Sequence, residues 1–303
     1  MKNEFQISCF SPRILKKNSL AVHSRLRPSP FALRPSLGFS LVEVLLVVTL
    51  LSLIVIALMG VFSSTQRAFR ASVTQTDVLE SGRAAMDMMA DDLRQLAPSG
   101  GYSNSAVNFY VAVPFGYTPL IQNLVASTEL RTNVLERVFI LNRQNQTWTG
   151  IGYVVDTNST TGINPLYRFA ISTNVAAASP GMLFDIFRTN SFANMSRLMD
   201  GVVHLQIRAY DTKGAWMNSY YTNANNFDTF TPVYGETGFY MFSNTLPAAV
   251  EIELATLEDR TLQRAESRPA GSLRQQYLQD QAGKVHVFRQ RVSIPNVDPA
   301  AYQ

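Results

Sequence analysis

Residues 44–66 carry no ionisable side chain, and residues 44–62 are almost wholly aliphatic. At about 1.5 Å of rise per residue, some 20 such residues span a bilayer core of roughly 30 Å, so this run predicts the chain's one transmembrane helix. The pattern stays helical beyond it. No proline occurs from residue 39 to residue 97, and Leu79, Gly82, Met86, Met89, Leu93 and Leu96 recur at alternating steps of three and four, which places them on one stripe of a helix. Arg83 and Asp87 are spaced to pair across one turn. Such a stripe reads either as packing under a domain or as a coiled-coil stalk. Pro98-Ser99-Gly100-Gly101 stops the helix.

After Pro98 the chain turns to Asn, Thr, Tyr, Phe and Gly, with short alternating runs that predict strands. Residues 203–208 and 250–254 place apolar side chains on one face and polar ones on the other. Residues 284–294 alternate with a phase slip between Val287 and Phe288 that predicts a bulge. Further strands are expected at residues 137–141, 151–155, 166–171 and 182–187. Glu251 and Glu253 are expected to face Arg289 and Arg291 across a ladder. The predicted class is α+β: a long amino-terminal transmembrane and extramembrane helix packed on an antiparallel sheet domain.

The charge distribution changes this picture. The chain has a formal charge of +4, but Lys2, Arg13, Lys16, Lys17, Arg25, Arg27 and Arg34 stand in the first 38 residues against Glu4 alone. The remaining residues are slightly acidic in balance, so the overall basic charge gives no reason to expect a nucleic-acid partner. Basic residues before the apolar run and none just after it put the leader in the cytoplasm and the rest outside. The single cysteine, Cys9, precedes the apolar run, the wrong side for a lipoprotein cysteine. No Met occurs between Met1 and Met59, and a start at a non-Met codon such as that of Val22 is an alternative beginning.

Candidate chemistry is sparse. His204 and His286 lie on expected strands without the company of a nucleophile or metal-ligand motif, and read as structural histidines. Asp156-Thr157-Asn158-Ser159-Thr160-Thr161-Gly162 has oxygen side chains at alternate positions but lacks the Gly and Glu of a calcium loop, with Tyr167 at the twelfth position; it reads as a hairpin turn. No catalytic residue, cofactor or metal is expected. Trp148, Trp216 and the aromatic residues of 215–242 form either core or an exposed loop, and the Asn-rich insert 217–245 is taken as an exposed partner contact.

The sharpest feature is Glu43, a carboxylate four residues into the apolar helix. An unpaired charge there costs about 2.5–3.5 kcal/mol at the bilayer centre and less near its edge. A plain anchor has no use for it, and a secretory signal would carry a shorter apolar run ending in a small-x-small site. Gly38-Phe39-Ser40-Leu41-Val42-Glu43 resembles the prepilin-type signal of type IV pilins and type II secretion pseudopilins. In that family a basic leader ends in Gly, Phe follows, and Glu is the fifth residue of the product. The resemblance implies cleavage between Gly38 and Phe39 by a membrane prepilin peptidase, N-methylation of Phe39, and pairing of Glu43 with the Phe39 amine of a neighbouring pilin or pseudopilin. It divides the chain into a removed leader (1–38), a transmembrane half-helix (39–62), an extramembrane half-helix (63–97) and a β-rich pilin-like domain (98–303). The backbone freedom of Gly38 suits a narrow protease cleft. Gly60 either loosens the helix or serves as a small packing residue.

Asp91-Asp92-Leu93-Arg94-Gln95, Leu198-Met199-Asp200-Gly201-Val202, Ile207-Arg208-Ala209-Tyr210-Asp211, Lys213-Gly214-Ala215-Trp216 and Leu246-Pro247-Ala248-Ala249-Val250-Glu251-Ile252-Glu253 look like the minor pseudopilin J of type II secretion. The W-type minor pilins are similar over the helix, and residues 217–245 have no counterpart. The resemblance implies a non-enzymatic, single-pass inner-membrane subunit with its carboxy-terminal domain in the periplasm or outside. Its place would be the tip or initiation complex of a secretion pseudopilus. The alternatives are a minor type IV pilin for adhesion or DNA uptake, or, in another class, a single-pass anchored enzyme or receptor.

Overall fold

The computed structural model describes residues 38–100, 106–114, 116–124, 128–158, 163–175, 179–218, 227–230, 237–269 and 271–302. The chain divides into two units, residues 1–60 and 61–303. Helix α1 (Leu41–Arg94) is 54 residues long, close to the predicted 39–97. It opens where the Val44 amide donates to the Ser40 carbonyl, 3.2 Å away.

In the first unit every described residue is exposed, and from Leu41 to Arg70 α1 is apolar and long enough to cross a membrane. Its hydroxyls do not oppose that environment. Thr49 donates to the Leu46 carbonyl and Ser52 to the Val48 carbonyl, both at 2.8 Å, so each is satisfied inside the helix.

In the second unit α1 carries a buried stripe of Val78, Ala85, Met86, Met89, Ala90 and Leu93, which Leu96 continues just past the helix end. The predicted stripe is one residue out of phase at its start: Val78 is buried and Leu79 is 40% exposed. Gly82 belongs to the stripe because the ring of Phe288 occupies the space a Cβ would need. The exposed-face ion pair is Asp91 with Arg94 at 2.5 Å, rather than Arg83 with Asp87.

Two antiparallel sheets flank this stripe. The larger joins β1 (Val107–Val113), β4 (Arg137–Gln144), β5 (Thr147–Val155), β6 (Leu166–Asn174), β7 (Ser196–Met199), β10 (Phe227–Phe230) and β11 (Thr237–Phe242) in the order β10-β11-β1-β4-β5-β6-β7. The smaller joins β8 (Val202–Tyr210), β9 (Trp216–Met217), β12 (Ala249–Leu257) and β13 (Val285–Ser293) as β13-β12-β8-β9. β2 (Leu120–Asn123) and β3 (Leu130–Asn133) form a separate hairpin. The main core gathers Met86, Met89 and Leu93 of α1, Phe109, Ile140 and Tyr153 of the larger sheet, and Leu205, Ile252 and Leu254 of the smaller.

The other face of the larger sheet is covered by α2 (Gly181–Thr189), whose Leu183 and Phe187 are buried. They reach the sheet because Gly152 of β5 leaves the space that the Phe187 ring fills. Residues 182–187 are therefore helical and not the predicted strand: the buried pair recurs at i, i+4, and an alternating apolar run this short fits both periods. On the outer face of the smaller sheet, Ala255, Leu257 and Val203 pack with Ala265 of α3 (Asp259–Glu266) and Leu278 of α4 (Ser272–Gln279).

Three other expectations change. β12 and β13 pair without a register shift, so there is no bulge at Val287 and Phe288. Val287 is an apolar side chain facing outward, 47% exposed, while Phe288 packs on the core. Within the 217–245 insert, β11 pairs with β1 and buries Phe239 and Met241, so its described part is sheet core rather than an exposed loop. Residues 219–226 and 231–236 lie outside the described residues. Finally, His204 shares a strand with Val203 and Leu205, and all three are buried; the smaller sheet is covered on both faces at that end.

Candidate functional site

Gly38, Phe39 and Ser40 precede the helix and are exposed, Phe39 to 81%. A Cβ added at Gly38 or at Gly60 would meet nothing, so packing among the described residues requires neither glycine. Glu43 lies in the first turn of α1, where the positive end of the helix dipole favours a carboxylate by about 0.3–1 kcal/mol. Among the described residues no ion pair or hydrogen bond involves its carboxylate. The spacing of Phe39 and Glu43 puts a freed amine at Phe39 about one turn from that carboxylate. The remainder of the leader lies outside the described residues.

At the other end of α1, Asp92 has the opposite surroundings. It falls on the buried stripe, three residues after Met89 and four before Leu96, and is 7% exposed. Arg168 of β6 grips it with two bonds, Nε to Oδ2 at 2.9 Å and Nη2 to Oδ1 at 3.1 Å. The Tyr153 hydroxyl donates to Oδ2, and Asn142 Nδ2 donates to the Asp92 carbonyl at 3.1 Å. Burial, and then the Asp92 carboxylate, push the Tyr153 hydroxyl well above the usual phenol range. The bond to Asp92 raises Arg168. The last helical turn then hands over to the sheet: Ala97 N donates to the Leu141 carbonyl at 2.9 Å, and Asn296 Nδ2 to the Leu96 carbonyl at 2.9 Å. This clamp was missed at the sequence level. The available signal was an acid in phase with an apolar stripe, since a buried carboxylate requires a partner.

Two further titratable groups sit at the smaller sheet. Glu136 accepts from the Ile207 amide at 2.6 Å, and burial pushes its carboxyl up to about 7 against the favourable pull of that amide and of Arg208. His204 Nδ1 accepts from the Val134 amide at 3.0 Å. Burial lowers the His204 imidazole to about 4, although Glu253 pulls the other way. His204 is thus held towards its neutral form, with Nδ1 bonded and Nε2 buried without a hydrogen-bond partner among the described residues.

Glu251 and Glu253 meet Arg291 and Arg289 in register. Asp156 begins a hairpin turn between the antiparallel β5 and β6, with Asn158 N donating to Asp156 Oδ1 at 3.0 Å; residues 159–162 lie outside the described residues. Trp148 is buried and Trp216 half exposed. No group of three His, Cys, Asp or Glu positioned to hold a metal ion occurs among the described residues. The chain matches no family model, no curated protein and no solved structure.

Proposed function

We propose that the chain is a membrane-anchored, non-enzymatic subunit of a type IV pilin-like filament, resembling minor pseudopilin J and acting in the tip or initiation complex of a type II secretion pseudopilus. Gly38 and Phe39 are the processing site for a prepilin peptidase, and Glu43 is the assembly residue.

The observation that carries this reading is the state of Glu43, a carboxylate on the exposed apolar stretch of α1, unanswered by any described residue. In lipid such a group needs a cation from outside the chain. A processed Phe39 amine on a neighbouring subunit supplies one, neutralising both charges and fixing the axial register. The extramembrane part of α1, fastened through Asp92 to a sheet domain, gives the spine-and-head arrangement the reading requires.

The test is Glu43→Leu in cells that carry the filament machinery. The variant is processed normally and fails to enter filaments, as read by sheared-filament fractionation. Undiminished incorporation contradicts the role of Glu43.

A further inference from the structure

The smaller sheet runs alongside α1, and three contacts fix which end is which. Asn296, just past β13, donates to the Leu96 carbonyl. Phe288 fills the space at Gly82. Asp259, at the start of α3, lies near Asp77, whose charge acts after burial in raising the Asp259 carboxyl. The sheet end at Leu257 and Val285, from which α3 starts, therefore points back toward the apolar part of α1. That part closes at Arg70, and residues 61–70 belong to the same unit as the sheets. The first charge after the apolar run is Arg67, and Asp77 follows ten residues later, about 15 Å along the helix. A headgroup layer fills about 5–7 Å of that distance, so α3 begins within about one Debye length, roughly 8–10 Å, of lipid charge.

What α3 and α4 present there is basic and amphipathic. Arg260 and Arg264 of α3 and Arg268 just beyond it recur every four residues and are exposed. At 100° per residue they share about 80° of arc, on the far side of α3 from Asp259 and Glu266. Asp77 stands on that acid side too. None of the three arginines has an ion pair among the described residues. Arg268 is stacked over the Tyr277 ring at 4.1 Å, and Arg274 Nη2 donates to the Arg268 carbonyl at 2.9 Å, which brings a fourth guanidinium to the row. Of the other acids between residues 258 and 284, Glu258 lies 3.5 Å from Lys284 and Asp280 accepts from Asn123 at 3.0 Å. Leu273, in the first turn of α4, is 58% exposed. Arginines beside an exposed leucine and a tyrosine are the composition of elements that lie in a membrane interface.

We infer that this arginine face rests on anionic lipid headgroups of the bilayer that α1 crosses, holding the sheet domain against the membrane surface while the subunit is still embedded. Lipid is the favoured occupant because α1 keeps it within reach. A tethered surface is present at an effective concentration that a free anion or a soluble acidic protein does not match. The attraction is electrostatic, and each arginine that reaches the surface adds to it. The inference goes beyond the filament reading: it needs only that α1 crosses a bilayer, and it holds for the chain with or without its leader, before any fibre is built.

The experiment uses the full chain with Cys9→Ser, reconstituted in nanodiscs that contain a headgroup-nitroxide lipid. A bimane label is placed at Ser267→Cys, between Arg264 and Arg268, or at Lys213→Cys, in the β8–β9 turn at the other end of the sheet. In discs of phosphatidylcholine with about one third phosphatidylglycerol, quenching at position 267 is about threefold stronger than in phosphatidylcholine alone. High salt removes the gain, and the label at position 213 is unquenched in both. Arg260→Gln with Arg264→Gln removes most of the gain, while unchanged circular dichroism and Tm show that this variant remains folded. Equal quenching at position 267 in the two kinds of disc overturns the inference, as does equal quenching at positions 267 and 213, or a full gain in the double variant. Loss of the gain on adding inorganic phosphate at constant ionic strength assigns the arginines to a free anion and overturns the lipid contact. Shielding of the label by polyglutamate, with no gain in anionic discs, assigns them to an acidic protein and overturns it as well.

Discussion

Glu43 and Asp92 are carboxylates of one helix, each set in an apolar stretch, and the chain treats them in opposite ways. Asp92 is answered from within by Arg168, Tyr153 and Asn142, which the sheet brings to it. Glu43 is left unanswered by the described residues. A buried charge is tolerated when it is paired and hydrogen-bonded, so the first acid explains how a helix is fixed to its own domain. Under the proposed function the second is answered by a partner subunit. One helix thus carries an intramolecular fastening at its end, and the proposed function assigns an intermolecular one to its start.

The largest effect that would break the comparison is at the clamp. Asp92→Ala leaves Arg168 uncompensated and costs about 3–5 kcal/mol of stability, read as a fall in urea midpoint. Asp91→Ala removes an ion pair whose side chains are 67% and 53% exposed and changes stability by less than about 0.5 kcal/mol. Equal effects at the two neighbouring positions would mean that the clamp does not fasten the helix.

Next in size is pH. Protonated Glu136 contributes stability that is fully present below its ordinary 4.5 and is lost as pH rises to about 7. Neutral His204 contributes stability that is present above its ordinary 6.5 and is lost as pH falls towards about 4. Between these limits the two contributions slope in opposite senses and largely offset each other. Glu136→Gln uncovers a stability that rises with pH, and His204→Gln one that falls, each on the order of 3 kcal/mol across the window. Urea titrations at several pH values read both slopes. Slopes of the same sign in the two variants would contradict the assignment.

Smaller effects separate the two parts of α1 by their glycines. Gly82→Ala brings a Cβ into the Phe288 ring, an overpacking of about 1–3 kcal/mol set against a helix-propensity gain of about 1; the net is a modest loss of Tm. Gly60→Ala meets nothing among the described residues and keeps only the propensity gain. A matching loss at Gly60 would place a packing demand inside the monomer where none is seen.

Much of this architecture could be read from the sequence, because long periodic segments and alternating strands announce themselves. The helix end near Pro98, the strands at residues 137–141, 151–155, 166–171, 203–208 and 250–254, and the pairing of Glu251 and Glu253 with Arg291 and Arg289 were all legible. β1 was not, since its run Val107–Val113 is buried through six of its seven residues and shows no alternation to detect. β11 was hidden inside an insert judged by its Asn content, although Phe239 and Met241 carry its core face. The 182–187 error and the bulge at Val287 share a cause: single apolar residues on exposed faces, Met182 and Val287, mimic a period that the fold does not use. At the candidate site, Gly38, Phe39 and Glu43 stand close together in sequence, so their spacing needs no tertiary structure to be seen. The clamp depends on Tyr153 and Arg168, far away in sequence, and only the sheet topology brings them to Asp92.

The most direct test of the filament-subunit account is the intact mass of the protein extracted from membranes of its own host. The account predicts a chain beginning at Phe39, shortened by the 38 residues through Gly38 and heavier by one methyl group. A mature protein that retains the leader, or begins at any residue other than Phe39, contradicts it.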